Sequence, residues 1–404
     1  MTVSETVHPS TVADEAGSGR LPIGQLLAFT VAGFLAIMTE TLPAGLLPQI
    51  GSGLGVSEAV AGQTVTLYAL GSVVAAIPVI AATRSWNRRL LFLLAIAGLL
   101  VYNTVTAVSA DFGLTLAARF IAGMAAGVVW GLVAGYARRL APPHLQGRAL
   151  AIVGVGQPIA LSLGVPLGAW LGSLSDWRLV FWILSAVALL LLAWVRLGVS
   201  DFPGQAPDQR VPVRAVFAIP GIRSVLLALF AWILAHNILY TYVAPFLGTT
   251  GTDLRVDLIL LVFGAASVVG IWATGVLVDR HLRTLTLLSL AAFSAAALLL
   301  GLSHGSSILV LVGVVVWGLT FGGAPTLLQT ALADSAGEQA DVAQSIFVTV
   351  FNLAVAGGGV VGGLVVDGAG ADLLPWTLLP LAILALATTW RAKFHGFRVG
   401  GWGA

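Results

Sequence analysis

VFWILSAVALLLLAWV, residues 180–195, carries one hydroxyl and no charge. An α-helix of about 20 such residues crosses the roughly 30 Å hydrocarbon core of a bilayer. The same reading applies to LLAFTVAGFLAIM (26–38), LLFLLAIAGLLVY (90–102) and LTLLSLAAFSAAALLLGL (285–302). Twelve runs of this kind are expected, at 21–47, 58–82, 90–109, 112–140, 148–172, 178–198, 219–247, 256–279, 284–303, 306–333, 341–367 and 372–392. The composition agrees, being 58% hydrophobic and 9% charged, where a soluble surface needs about 25% charged residues. The chain reads as an all-α membrane protein with twelve transmembrane helices.

Threading the runs back and forth places 16 of the 19 basic residues on one side of the membrane, with the amino terminus and the even-numbered turns. Arg178 and Arg255 fall on the opposite side, and Arg119 falls inside a run. An excess of Lys and Arg marks the cytoplasmic face, so both termini are expected in the cytoplasm of a bacterial inner-membrane protein. The basic pattern therefore belongs to the bilayer and gives no reason to expect nucleic acid. With no cysteine and one lysine, Lys393, thiolate chemistry and a lysine-bearing phosphate loop are excluded. No cofactor is expected.

Residues 1–20 read as a disordered cytosolic tail, 21–199 as one six-helix bundle, and 200–220 as a proline-bearing cytosolic linker. Residues 221–392 read as a second six-helix bundle and 393–404 as a tail. An internal repeat supports the division: Val128-Val129-Trp130-Gly131-Leu132 recurs as Val315-Val316-Trp317-Gly318-Leu319. The basic turn after the second run, Arg84 to Arg89, is answered by Asp279-Arg280 to Arg283 after the eighth. Parallel repeats about an axis along the membrane normal are the plan of one large class of transporters.

Several side chains in these runs need a reason to be there. Glu40 stands in IMTETLPAGLLPQI, and a carboxylate at membrane depth is costly unless it meets water or a proton. Desolvation favours its neutral form, which suits a reversible proton carrier; the plainer alternative is a helix-end carboxylate bathed in water. Arg119 stays charged and either biases Glu40 or holds helix ends together. His236 is a second candidate for the proton. Gly123, Gly127, Gly131 and Gly135 in the fourth run, and Gly164 and Gly168 with Pro158 and Pro166 in the fifth, leave smooth faces on bent helices. Such faces serve rocking of one bundle against another or static packing equally well. Gln63, Tyr68, Trp130, Gln157, Asn237, Tyr240, Tyr242, Trp317, Gln329 and Asn352 are the mid-run groups that could line a cavity or bond neighbouring helices.

Together these features resemble the major facilitator superfamily. Arg119-x-x-x-Gly123-x-x-x-Gly127 is similar to its fourth-span motif, and Gly154-x-Gly156-Gln157-Pro158 through Gly164-x-Pro166-x-Gly168 to its antiporter motif. Thr39 to Pro48, Ala61-Gly62-Gln63, Tyr68 to Gly71, and Tyr240 to Phe246 resemble bacterial sugar and arabinose efflux permeases and chloramphenicol exporters of the drug:proton antiporter-1 family. The resemblance implies two six-helix bundles in the major facilitator fold. It also implies proton-coupled efflux of a small sugar or drug by alternating access, carried out by a monomer. Thr83 stands where the family's first-half turn carries aspartate, and only Asp279-Arg280 keeps the gating pair. Uptake by symport or uniport is the alternative; a membrane enzyme or sensor is remote, since the six histidines are scattered.

Overall fold

The computed structural model describes residues 21–76, 79, 82, 83, 85–142, 145–204 and 213–397. The expectations for the 1–20 tail, Arg84, linker residues 205–212 and residues 398–404 lie outside the described residues, as does the side chain of Asp279. Every regular element among the described residues is helical. The first half comprises α1 (Ile23–Thr41), α2 (Leu47–Leu54), α3 (Glu58–Ala61), α4 (Gln63–Ala76), α5 (Arg88–Val108), α6 (Phe112–Leu140), α7 (Gln146–Gly154), α8 (Gly156–Ile159), α9 (Val165–Leu174) and α10 (Arg178–Gly198). The second comprises α11 (Val213–Ala218), α12 (Ile222–Thr241), α13 (Val243–Thr249), α14 (Val256–Gly301), α15 (Ser307–Ala336), α16 (Ala340–Gly368) and α17 (Leu374–Arg391).

Eleven helical stretches among the described residues are long and apolar enough to cross a membrane. The second expected span is not one of them, because its continuous described run ends at Ala76. α14 holds two of the eleven, Val256–Val278 and Arg280–Gly301, on either side of a break at His281 (φ −133°, ψ 26°). The outward surface is apolar: Leu190, Leu197, Trp272, Leu288 and Ile308 expose most of their side chains, as suits a lipid solvent.

Helix starts and breaks follow local chemistry. Asp111 and Ser306 cap α6 and α15 by accepting from the backbone N–H of Leu114 and Leu309, orphan donors at a helix start. α1 stops at Thr41 because Pro43 has no N–H to give Thr39, and a 3-10 turn, Leu42–Leu46, follows. Pro166 likewise cannot donate to Ser162, and the fifth span carries a five-residue π turn at Ala160–Gly164. The seventh span breaks at Tyr242 (φ −111°, ψ 31°), three residues before Pro245.

Glycine rows decide how the helices meet. In the fifth span Gly164, Gly168 and Gly172 receive Met38, Leu42 and Leu46 of the first, all at four-residue spacing. Gly123 and Gly127 of α6 lie against the Tyr68 and Ser72 backbone of α4, while a Cβ on Gly135 would meet nothing within 4 Å. Gly318 and Gly322 of α15 repeat that arrangement against Phe263 and Ser267 of α14. The fourth- and fifth-span rows therefore join helices of one half.

Contacts between the halves come from a different set. α4 packs along α16, α9 and the π turn lie on α14, and the Leu42–Leu46 turn touches α12, α13 and α14. Glycines again set the distance: Gly264 sits on the Ser162 backbone, Gly359 against Thr66, and Gly45 against Leu260.

The repeat is visible in side-chain roles. Arg89 donates to the Val199 carbonyl (3.2 Å), just past the end of α10. Arg283, 194 residues later, donates to the Thr389, Trp390 and Phe397 carbonyls (2.8, 2.8 and 3.0 Å) at the end of α17. Each arginine satisfies carbonyls that a helix C-terminus leaves without intrahelical donors.

Candidate functional site

Glu40 lies in the last turn of α1, 6% exposed, and its carboxylate makes no hydrogen bond or ion pair among the described residues. Arg119, 1% exposed, comes in from α6. Its Nε donates to the Thr64 carbonyl (3.2 Å) and its Nη2 makes a long bond, 3.4 Å, to the backbone carbonyl of Glu40. That carbonyl is one the ending helix leaves without a donor. The guanidinium also lies 4.7 Å from the Tyr68 ring centroid, a cation–π contact. Its Nη1 has no hydrogen-bond partner among the described residues. Arg119 thus ties α1, α4 and α6 together through backbone and ring, and both N–H bonds of its Nη1 are unused among the described residues. Tyr68 donates to the Ala36 carbonyl (2.9 Å) and completes this knot.

Two further residues stand at the site, and the first of them carries no motif. Asn103 on α5 is fully buried; its Nδ2 donates to Thr39 Oγ1 (3.0 Å) and its Oδ1 has no partner among the described residues. The signal for it was an amide within the apolar run of the third span. Tyr240 on α12 comes from the other half, with its buried hydroxyl close to the Thr41 side chain and within electrostatic reach of Glu40.

His236 is enclosed. Trp317 Nε1 donates to its Nδ1 (3.0 Å), and its ring is stacked on Phe321 at 3.3 Å between centroids and on Tyr240 at 5.1 Å. Phe263 closes the group at 5.7 Å. A nitrogen that accepts cannot also carry a proton, so this bond selects the neutral tautomer with hydrogen on Nε2. The phenyl rings of Phe263 and Phe321 were not foreseen, as nothing in the sequence places them beside residue 236.

Gln63 and Tyr242 meet each other. Gln63 Nε2 donates to Tyr242 Oη (3.3 Å) and the Gly359 carbonyl (3.2 Å), and the Tyr242 hydroxyl reaches the Gly359 and Ala59 carbonyls at 2.7 and 3.1 Å. A Cβ on Gly62, Gly362 or Gly363 would press into the Tyr242 side chain, so the ring fills a slot floored by glycine. This knot ties the start of the second span to the seventh and eleventh, at the end opposite Arg88, Arg89 and Arg283.

The remaining candidates are separate. Asn237 and Asn352 are buried and spend their Nδ2 donors on carbonyls of their own helices, Ile233 and Val348 (both 2.9 Å). Gln157 is half-buried, Gln329 is exposed, and neither makes a hydrogen bond among the described residues. Trp130 packs on Gly33 of α1, as Trp317 packs on α12. Arg280 is exposed; the side chain of its neighbour Asp279 lies outside the described residues. Pro158 lies in α8 and Pro166 at the start of α9, flanking the π turn.

The Major Facilitator Superfamily sequence pattern matches residues 29–359 and 253–395. A protein named transcription regulatory protein OpdE, from Pseudomonas aeruginosa, is 34% identical over 82% of this chain and 84% of its own. The purine ribonucleoside efflux pump NepI of Escherichia coli is 32% identical over 81% and 83%. Among solved structures, a D-xylose–proton symporter matches with a TM-score of 0.77 at 16% identity, covering 92% of this chain and 98% of the other. The human organic anion transporter MFSD10 gives 0.69 at 19%, covering 91% and 99%. Those two likenesses concern the fold, and the fold is all-helical, as the sequence requires. With the pattern matched along most of its length and relatives above 30% identity, the chain is a multi-pass membrane transporter belonging to the major facilitator superfamily.

Proposed function

We propose that this transporter exports a small polar organic compound in exchange for protons, by alternating access between two bundles of six helices. In this reading the second span completes a set of twelve, residues 200–220 link the bundles, and both termini face the cytoplasm of a bacterial inner membrane. It works as a monomer. The observation that carries the reading is the buried carboxylate of Glu40, without an ion pair among the described residues, in the residue whose backbone carbonyl Arg119 holds while its Nη1 stays unpartnered. A neutral acid needs neither partner, whereas the ionised form has a donor at hand. One group can then hold a proton on one side of the cycle and release it on the other.

One relative above 30% identity, NepI, is a purine ribonucleoside efflux pump, so a ribonucleoside is the first compound to test, before sugars and drugs. Polar groups without hydrogen-bond partners, Gln157 and Gln329, and the Asn237 and Asn352 oxygens are the surfaces offered to it. Moving one charge through 100 mV supplies about 2.3 kcal/mol, enough to sustain roughly a fiftyfold gradient of a neutral solute per proton.

The test uses purified protein in liposomes with labelled inosine outside. An acid lumen drives accumulation if protons leave as substrate enters; an acid exterior drives it if the two move together, which is the uptake reading. Glu40→Gln should abolish the pH-driven component. Full accumulation by that variant removes Glu40 from the mechanism.

A further inference from the structure

Two apolar grooves lie on the outward surface, of about 490 and 420 Å³. In the first, Leu93, Leu94 and Ala97 of α5 face Leu189 and Leu192 of α10, and Arg196 closes one end. Each lining position of the first groove recurs in the second 194 residues later, between the second part of α14 and α17. The residue types are conserved in the repeat except that Ile383 stands for Leu189 and Trp390 for Arg196. The two grooves are therefore one piece of architecture used twice, differing in charge at a single position.

We propose that the groove between α5 and α10 is a binding site for one anionic phospholipid, with its phosphate on Arg196 and an acyl chain along the leucines. The depth fits such a ligand. Arg196 is two residues from the end of α10 and Leu189 nine, which spans about 13 Å of helix inward from that face. Arg88 and Arg89 begin α5 at the same level, so this is the headgroup end of the groove. Arg196 is exposed and makes no ion pair or hydrogen bond among the described residues, whereas Arg89 spends its guanidinium on the Val199 carbonyl. A guanidinium with a free fork near a helix end extends toward the interface and takes phosphate bidentately. The second groove offers an indole instead, which sits at an interface but brings no cation.

The repeat supplies its own control. Full-length protein in detergent is mixed with phosphatidylglycerol or with phosphatidylcholine, and retained lipid is counted by native mass spectrometry. Wild type should keep one phosphatidylglycerol in preference to phosphatidylcholine. Arg196→Gln should lower that occupancy about tenfold. Arg148→Gln, an equal loss of charge on an exposed arginine outside the groove, should not. Trp390→Arg should add a second retained phosphatidylglycerol. Equal occupancy in Arg196→Gln and Arg148→Gln, equal retention of the two lipids by wild type, or no second lipid in Trp390→Arg overturns the assignment. All three residues are exposed, and the counts do not depend on Glu40 carrying a proton.

Discussion

Replacing Tyr242 by phenylalanine isolates the bond that joins the halves at the arginine-poor end. The ring stays in its slot between Gly62, Gly362 and Gly363; only the hydroxyl is lost. That hydroxyl donates to the Gly359 carbonyl at 2.7 Å, with the Ala59 carbonyl at 3.1 Å, and receives Gln63 Nε2 at 3.3 Å. Gln63 keeps the Gly359 carbonyl, while the hydroxyl's two contacts with the first half, to Ala59 and Gln63, are lost; its single proton is shared with Gly359, so the loss between the halves is about one net hydrogen bond. A net hydrogen bond in a folded protein contributes about 1 kcal/mol, which is about a fivefold change in a two-state ratio. The closed form of this end should fall by that factor relative to the open one. Since the chain has no cysteine, spin labels can be placed at Ser52→Cys and Ala369→Cys alone, and pulsed electron resonance reads the two distance populations. Gly62→Ala should open the same end further, because a rigid ring cannot yield to a new Cβ. Populations indistinguishable from wild type in both variants would refute the claim that this knot holds the end closed.

Three further outcomes follow from contacts already described. Gly123→Ala forces a Cβ onto the Tyr68 backbone and should cost about 1–3 kcal/mol. Gly135→Ala, in the same row but facing open space, should gain up to about 1 kcal/mol; thermal unfolding in detergent ranks the two. His236→Phe should leave pH-driven transport in place while lowering stability by about 1–3 kcal/mol, because the buried Trp317 N–H loses its acceptor; loss of proton coupling would make His236 the carrier instead. Arg283→Met should release the end of α17, seen as faster amide exchange over residues 389–397 with the rest of the second half unchanged.

The spans were legible because burying so few charges in so many long apolar runs leaves only a membrane as solvent. The proline breaks in the first and fifth spans were legible too, since a missing N–H acts on its own helix. Pro325 and Pro380 show the limit of that argument: both stay inside continuous helices. The partner of a glycine row was not legible. Four-residue spacing announces a smooth face and says nothing about which helix will use it, so rows in the fourth and fifth spans read as possible rocking surfaces although they close on helices of their own half. The same blindness affected Gln63, Tyr242 and His236. A polar side chain in an apolar run looks identical whether it meets a solute or another side chain, and the rings around His236 come from residues 263, 317 and 321.

Glu40 and the knot at the arginine-poor end occupy corresponding places in the two halves. α1 ends at Thr41 ahead of Pro43, and α12 ends at Thr241 ahead of Pro245. Glu40 stands in the last turn of one, Tyr240 in the last turn of the other, and Tyr242 is the breaking residue itself. The Leu42–Leu46 turn touches α12 and α13, so the two breaks lie against each other across the boundary. A charge appearing on Glu40 would act on Arg119 Nη1, unpartnered among the described residues, and on Tyr240 Oη near Thr41. One is anchored within the first half. The other is two residues along the same chain from the ring that holds Gly62, Gly362 and Gly363. Tyr240 and Tyr242 are two residues apart at the same helix break, so a shift of the backbone there would move both side chains. If Glu40 carries the proton as proposed, its coupling to the gate needs no long relay. It requires only that the acid and the latch sit on broken helices that touch, and in this protein they do.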